Sequence, residues 1–321
     1  MFSVGLDGWW LDATEPEMRN PNEAYKEKTY LGLFRKNANA FPLFTVNDVY
    51  DKQRKTSSAK RVTILTRSAY LGQQRTGAIS WSGDVWSKWD VMERQIPAAL
   101  NFSLCGNPNW NTDIGGFFSN DFKGGYENPE FREMTVRWTQ FGVFMTIMRS
   151  HGTTTPREIW RFGEPGTWAY DAIAKAIRLR YSLLPYIYST AWQVSKYDDT
   201  FMRPFLMDFP NDKKAVDESH EYMFGRAFLV APVTTAMYVD KDGNYNANAE
   251  AMKEVYLPAG TDWYDYFTSQ REAGGQTIKR HVAIDEMPLY VKAGSIVPIG
   301  PDVQYTSEKP WNNIHLNIYP G

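Results

Sequence analysis

The sequence predicts an α/β unit built on a parallel sheet or barrel, followed by an all-β sandwich domain. Two observations carry this. Up to about residue 197, short apolar runs alternate with amphipathic stretches, the pattern of strands joined by helices. From about residue 200, short strand-like runs follow one another with turn signals between them and few convincing helices.

Each element has its own justification. Residues 4–11 read as a short strand ending in Asp12. Residues 42–54 have helical spacing, with Leu43, Val46, Val49 and Tyr50 on one face. Residues 61–66 (RVTILT) are continuous and β-branched, a strand of the buried kind, and 78–81 form another short one. Residues 91–100 look helical and lead into a third strand candidate at 102–105. A helix over 128–141 precedes a fourth candidate at 142–148. Residues 168–197 read as one long amphipathic helix kinked at Pro185. Beyond a boundary at 197–200, the strand candidates are 201–209, 227–232, 253–257, 261–266, 277–282, 288–291 and 316–319. DGN at 242–244, PAG at 258–260 and AGG at 273–275 separate several of them.

Polar, glycine-bearing segments follow the strands of the first part, at 12–17, 67–72, 82–84, 113–116 and 149–152. In a (β/α) barrel such segments share the C-terminal face, where catalytic groups sit.

Composition narrows the function. In 321 residues, 35 Lys and Arg stand against 37 Asp and Glu, a net charge of −2, so no basic footprint for nucleic acid exists. No run approaches the roughly 18 apolar residues of a membrane span. The residues after Met1 lack the basic start and small-residue cleavage site of a signal peptide. One cysteine, Cys105, excludes an internal disulfide framework. Aromatics make up 15%, which serves either a large core or stacking on sugar faces. The sequence assigns neither a compartment nor an oligomeric state.

No phosphate loop, GxGxxG, HExxH, GxSxG or paired cysteine occurs, and His151, His220, His281 and His315 are scattered. No metal site is expected. What remains is carboxylates beside tryptophan: Asp12 in WWLDATEPE and Asp84 in ISWSGDVW. Glycoside cleavage needs two carboxyl groups, one to attack or to activate water and one to protonate the leaving oxygen. The structural alternative is that both cap helices or pair with arginine.

The chain resembles glycoside hydrolase family 31, the retaining α-glucosidase and α-xylosidase family. The matching stretches, in the family's order, are DGWWLDATEPE (7–17), ILTRSAYLGQQR (64–75), ISWSGDVWSKWD (79–90), LCGNPNWNTDIGGF (104–117), MRSHG (148–152), RYSLLPYIY (180–188), MRPFLMDFP (202–210), FGRAFLVAPV (224–233) and MPLYVKAGSIVP (287–298). The resemblance implies strands four to eight of a (β/α)8 barrel over 1–198, a proximal β-sandwich over 199–300, and the start of a distal β-domain over 301–321. It implies that the chain is a fragment lacking the first three barrel strands, inactive or unstable by itself.

By the same resemblance, Asp12 matches the nucleophile and Asp84 the general acid/base. Arg67, Asp113 and His151 match polar groups that hold the sugar, and Trp10, Trp81 and Phe117 match the aromatic lining. Glu15 matches a supporting partner or a helix-start carboxylate. The implied chemistry is double displacement on an oligosaccharide, with no cofactor. WWLDATEPE resembles the α-xylosidase branch that trims xyloglucan oligosaccharides. The alternatives are an α-glucosidase of the same family or an inactive carbohydrate-binding fragment.

Overall fold

The computed structural model describes residues 5–16 and 20–321. Residue 4 of the first expected strand and residue 17 of the first polar segment lie outside them.

Four short parallel strands form the first sheet in chain order: β1 (Trp9–Leu11), β2 (Ile64–Thr66), β3 (Ile79–Trp81) and β4 (Trp110–Asn111). Trp10 lies opposite Leu65, Leu65 opposite Ile79, and Trp81 opposite Asn111. Helix α1 (Phe41–Thr56) lies between β1 and β2, and α2 (Trp89–Leu104) between β3 and β4. A fifth position in the sheet is reduced to a single parallel bridge between Ile114 and Ser150. Sequential parallel strands with helical crossovers are the winding of a (β/α) barrel.

Two expected strands are corrected. Residues 102–104 are the last turn of α2, whose apolar face (Met92, Ile96, Ala99, Leu100) runs on into them. A continuous apolar run does not distinguish strand from buried helix. The helix stops at Cys105, before Gly106 at φ +77°. The strand instead is β4. Of the run 142–148, Gly142 ends helix α3 (Pro129–Gly142) and 143–147 follow as turn and bend. Val143, Phe144 and Met145 are core. The carbonyls of Val143, Met145 and Thr146 accept from the Arg180 guanidinium at 2.6, 2.6 and 2.8 Å rather than from a strand. The cap of α3 is explicit: Asn128 Oδ1 accepts from the N–H groups of Glu130 and Phe131.

The expected kinked helix is two helices, α4 (Trp168–Ser182) and α5 (Leu184–Tyr197). Pro185 sits in the first turn of α5, where its missing N–H costs nothing.

The second part is antiparallel. Its six-stranded sheet has the order β10-β9-β12-β7-β6-β5, from β5 (Met202–Pro204), β6 (Tyr222–Phe224), β7 (Phe228–Val230), β9 (Asp262–Asp265), β10 (Arg271–Ala273) and β12 (Leu289–Lys292). An antiparallel pair, β8 (Met252–Leu257) with β11 (Gln276–His281), packs against it, Val255 and Leu257 meeting Trp263 and Tyr290. Strands β13 (Ser295–Ile299) and β14 (His315–Tyr319) pair separately. The expected strand 201–209 is shorter: Pro204 ends it on the sheet edge and a helical turn, Phe205–Asp208, follows.

One aromatic core joins the two parts, Trp138, Phe141 and Phe144 meeting Tyr222, Phe224 and Phe228. Buried Glu133 on α3 accepts from the N–H groups of Met237, Tyr238 and Val239, and buried Arg137 donates to the Glu286 carbonyl at 2.7 Å. Helix α3 is thereby pinned to the β-domain.

Candidate active site

Every strand of the parallel sheet delivers a polar residue just beyond its C-terminal end. Asp12 follows β1, Arg67 follows β2, Asp84 comes three residues after β3, and Asp113 two after β4. His151 follows the bridge at Ser150.

Local chemistry fixes these ends. Ala13 takes a left-handed φ of 51°, and its N–H donates to Asp12 Oδ1 at 2.8 Å. Thr14 is buried and shares hydroxyl bonds with Thr66 at 2.6 Å and Ser68 at 2.8 Å, tying the segment after β1 to that after β2. Gly116, at φ +74°, packs against the Ser87 backbone so closely that a Cβ would overlap it. That approach sets Phe117 beside the site.

Arg67 is the hub. Its Nη1 lies 3.2 Å from Asp12 Oδ1 and 3.7 Å from Asp84 Oδ2, while Nη2 pairs with Glu15. The bond to Glu15 is the main reason its pKa rises further. Because both oxygens meet one nitrogen, the two distances bound their separation from above at about 6.9 Å. Asp12 and Asp84 keep side-chain exposures of 48% and 37%, open to a ligand.

The deeper wall is Asp113, fully buried, with Oδ1 accepting from Arg149 at 2.6 Å. Burial pushes its carboxyl up to about 7 against the opposing pull of Arg149, and the charge of Asp84 adds to the rise. Its Oδ2 is buried with no hydrogen-bond partner among the described residues. Burial, then Arg149, lowers the His151 pKa.

The aromatics close the circle. Trp10 lies 6.1 Å from Trp81 and 5.6 Å from His151, and Phe117 lies 5.4 Å from His151, all between ring centroids. Trp10 is 55% exposed whereas Trp81 is buried.

The structure therefore brings together all eight residues singled out from the sequence: Asp12, Asp84, Arg67, His151, Asp113, Trp10, Trp81 and Phe117. Two more belong with them. Arg149 bonds Asp113 and lies over Trp81; its signal was its place in the polar segment at 149–152. Arg157 donates to the Gly116 carbonyl at 2.8 Å and sits under the same segment. No motif marks it. Groups of three or more His, Cys, Asp or Glu able to hold a metal are absent among the described residues. No helix among them is long and apolar enough to cross a membrane.

Comparison with known proteins gives the family of both parts of the chain. Residues 1–190 match the glycosyl hydrolases family 31 TIM-barrel domain, and 198–297 the glycosyl hydrolase family 31 C-terminal domain. An alpha-xylosidase of Saccharolobus solfataricus is 43% identical over 325 residues, covering 100% of this chain and 42% of that protein. Neutral alpha-glucosidase C of Homo sapiens is 34% identical over 301 residues, 90% of this chain and 30% of its own length. The crystal structure of a family 31 alpha-xylosidase from Xanthomonas citri superposes with a TM-score of 0.91 at 40% identity, over 100% of this chain and 34% of that one. The chain thus spans between 30 and 42% of the length of these relatives.

Proposed function

This chain belongs to glycosyl hydrolase family 31, and from that premise we propose that the protein carrying it is a retaining α-glycoside hydrolase acting on non-reducing-end α-xylosyl residues of oligosaccharides. The observation that carries the reading is the single guanidinium nitrogen of Arg67 shared by Asp12 and Asp84. Retention needs carboxyl groups about 5–5.5 Å apart, so that one reaches the anomeric carbon while the other reaches the leaving oxygen. An upper bound of about 6.9 Å between the two facing oxygens fits that spacing.

Asp12, as carboxylate, attacks the anomeric carbon. The bond to the leaving oxygen breaks, and Asp84 gives that oxygen its proton. Asp84 then takes a proton from water, whose oxygen displaces Asp12 from the sugar. Each step balances with water as the only co-reactant. Arg67 pairs with Asp12 and holds it in place. Asp113 and His151 hold sugar hydroxyls, and Trp10, Trp81 and Phe117 form the aromatic lining around the ring. Glu15 orients Arg67. In this reading residues 1–198 carry the barrel half of the site, 199–300 the proximal β-domain that braces it, and 301–321 the start of a further β-domain.

The xylosyl preference rests on identity: the archaeal alpha-xylosidase stands at 43% and the human alpha-glucosidase at 34%. A second reading, α-glucosidase, follows from the latter. The test is hydrolysis of p-nitrophenyl α-xyloside and α-glucoside by the complete product of the source gene, with Asp12→Ala as control. Xyloside cleavage that falls by about 10⁴-fold or more in the variant is expected. Glucoside cleavage alone would overturn the substrate assignment, and cleavage unaffected by Asp12→Ala would overturn the nucleophile.

A further inference from the structure

Arg149 joins the buried acid of the site to its tryptophan wall. Its Nη1 donates to Asp113 Oδ1 at 2.6 Å. Its guanidinium carbon lies 5.3 Å from the Trp81 ring centre and 5.9 Å from that of Trp10. Its charge bears on His151, two residues on. The Asp113 carboxylate it holds is fully buried, with Oδ2 unpartnered among the described residues. A buried acceptor without a donor is costly, and a ligand hydroxyl would relieve that cost.

We propose that Arg149 is a positioning residue for sugar binding: its bond to Asp113 Oδ1 orients that carboxyl with Oδ2 left for a substrate hydroxyl, and its planar guanidinium sets the spacing of Trp10 and Trp81. This rests on the glycoside hydrolase reading above. The groups that face Asp113 are Arg149 and Arg157, which favour its charged form, and Asp84, which opposes it. With burial already holding the carboxyl near neutrality, loss of Arg149 leaves Asp113 protonated at pH 7. A protonated Asp113 donates from one oxygen, where the carboxylate accepts at both, so it meets a substrate hydroxyl with a different hydrogen-bonding pattern.

The test has two arms on the complete gene product. In the first, tryptophan emission is titrated without sugar, with Asp113→Asn used to identify the transition that belongs to Asp113. That transition is expected near pH 7 in the wild type. It should rise by about one pH unit or more in Arg149→Met and stay near the wild-type value in Arg149→Lys. In the second arm, KM for the aryl α-xyloside at pH 7 should rise about tenfold in Arg149→Met, with kcat changed far less, and recover in part in Arg149→Lys. No Asp113 transition in the wild type, or a midpoint and KM both unmoved in Arg149→Met, would overturn the inference. The expected titration in a protein that cleaves no glycoside would overturn the enzymatic reading and leave the role of Arg149 standing.

Discussion

Arg67 has three carboxylates around it, Asp12, Asp84 and Glu15, and only one side chain can serve them together. A guanidinium does so because its planar fork presents separate N–H groups in fixed directions. An ammonium is a point charge and cannot reach Asp12 and Glu15 in the same geometry. Arg67→Lys therefore keeps the charge and loses the alignment. Steady-state kinetics should show kcat/KM down about a hundredfold, with the fall chiefly in kcat. Asp12 and Asp84 were legible in the residues alone as carboxyl groups at strand ends beside tryptophan. Arg67, Asp113 and His151 were legible only through the family resemblance, since nothing in their spacing separates a sugar ligand from an ion-pair partner. Arg157 was not legible at all. Its place is set by carbonyls of the glycine segment at 115–117, and backbone acceptors leave no mark on a sequence.

At the scale of elements, the amphipathic helices were legible and the short strands were not. Helix α1 was expected over 42–54 and spans Phe41–Thr56, because its apolar residues keep a helical period. The runs at 102–105 and 142–148 are apolar without a period. What decides them is tertiary: α2 continues through the first, and Arg180 takes the carbonyls of the second. Strand β6 went unnoticed because the run around it begins with a charged residue, Glu221. That carboxylate is buried, accepts from the Tyr256 N–H, and is pushed up to about 8 mainly by burial, with Glu218 adding to the rise. Its folded pKa stands above the ordinary carboxylate value, so the folded state holds a proton that the unfolded state has released. Stability falls as pH climbs from about 4.3 to about 8 and then levels. Glu221→Gln, which keeps the neutral form, should remove that slope. Denaturant midpoints should show the variant more stable than wild type at pH 8, by on the order of 5 kcal/mol, and little changed near pH 4.

Across the whole molecule, the parallel sheet carries the candidate site and the antiparallel sheet is fastened to its helices. Glu133 and Arg137 on α3 fasten the segments at 237–239 and 283–286, and the same helix packs Trp138 and Phe141 into the shared core. The sequence changes texture near residue 200; one family match ends at residue 190 and the other begins at 198. Chain order along the sheet then brings the ends of β1 to β4 into one arc, which is why residues as far apart as Asp12 and His151 share a site. The central claim is that Asp12 and Asp84 face each other as nucleophile and acid/base. Proton NMR of the first sugar released from an α-xyloside, read before mutarotation, tests it most directly. Double displacement predicts that the α-anomer appears first. Initial release of the β-anomer would mean a single displacement by water and would contradict the account.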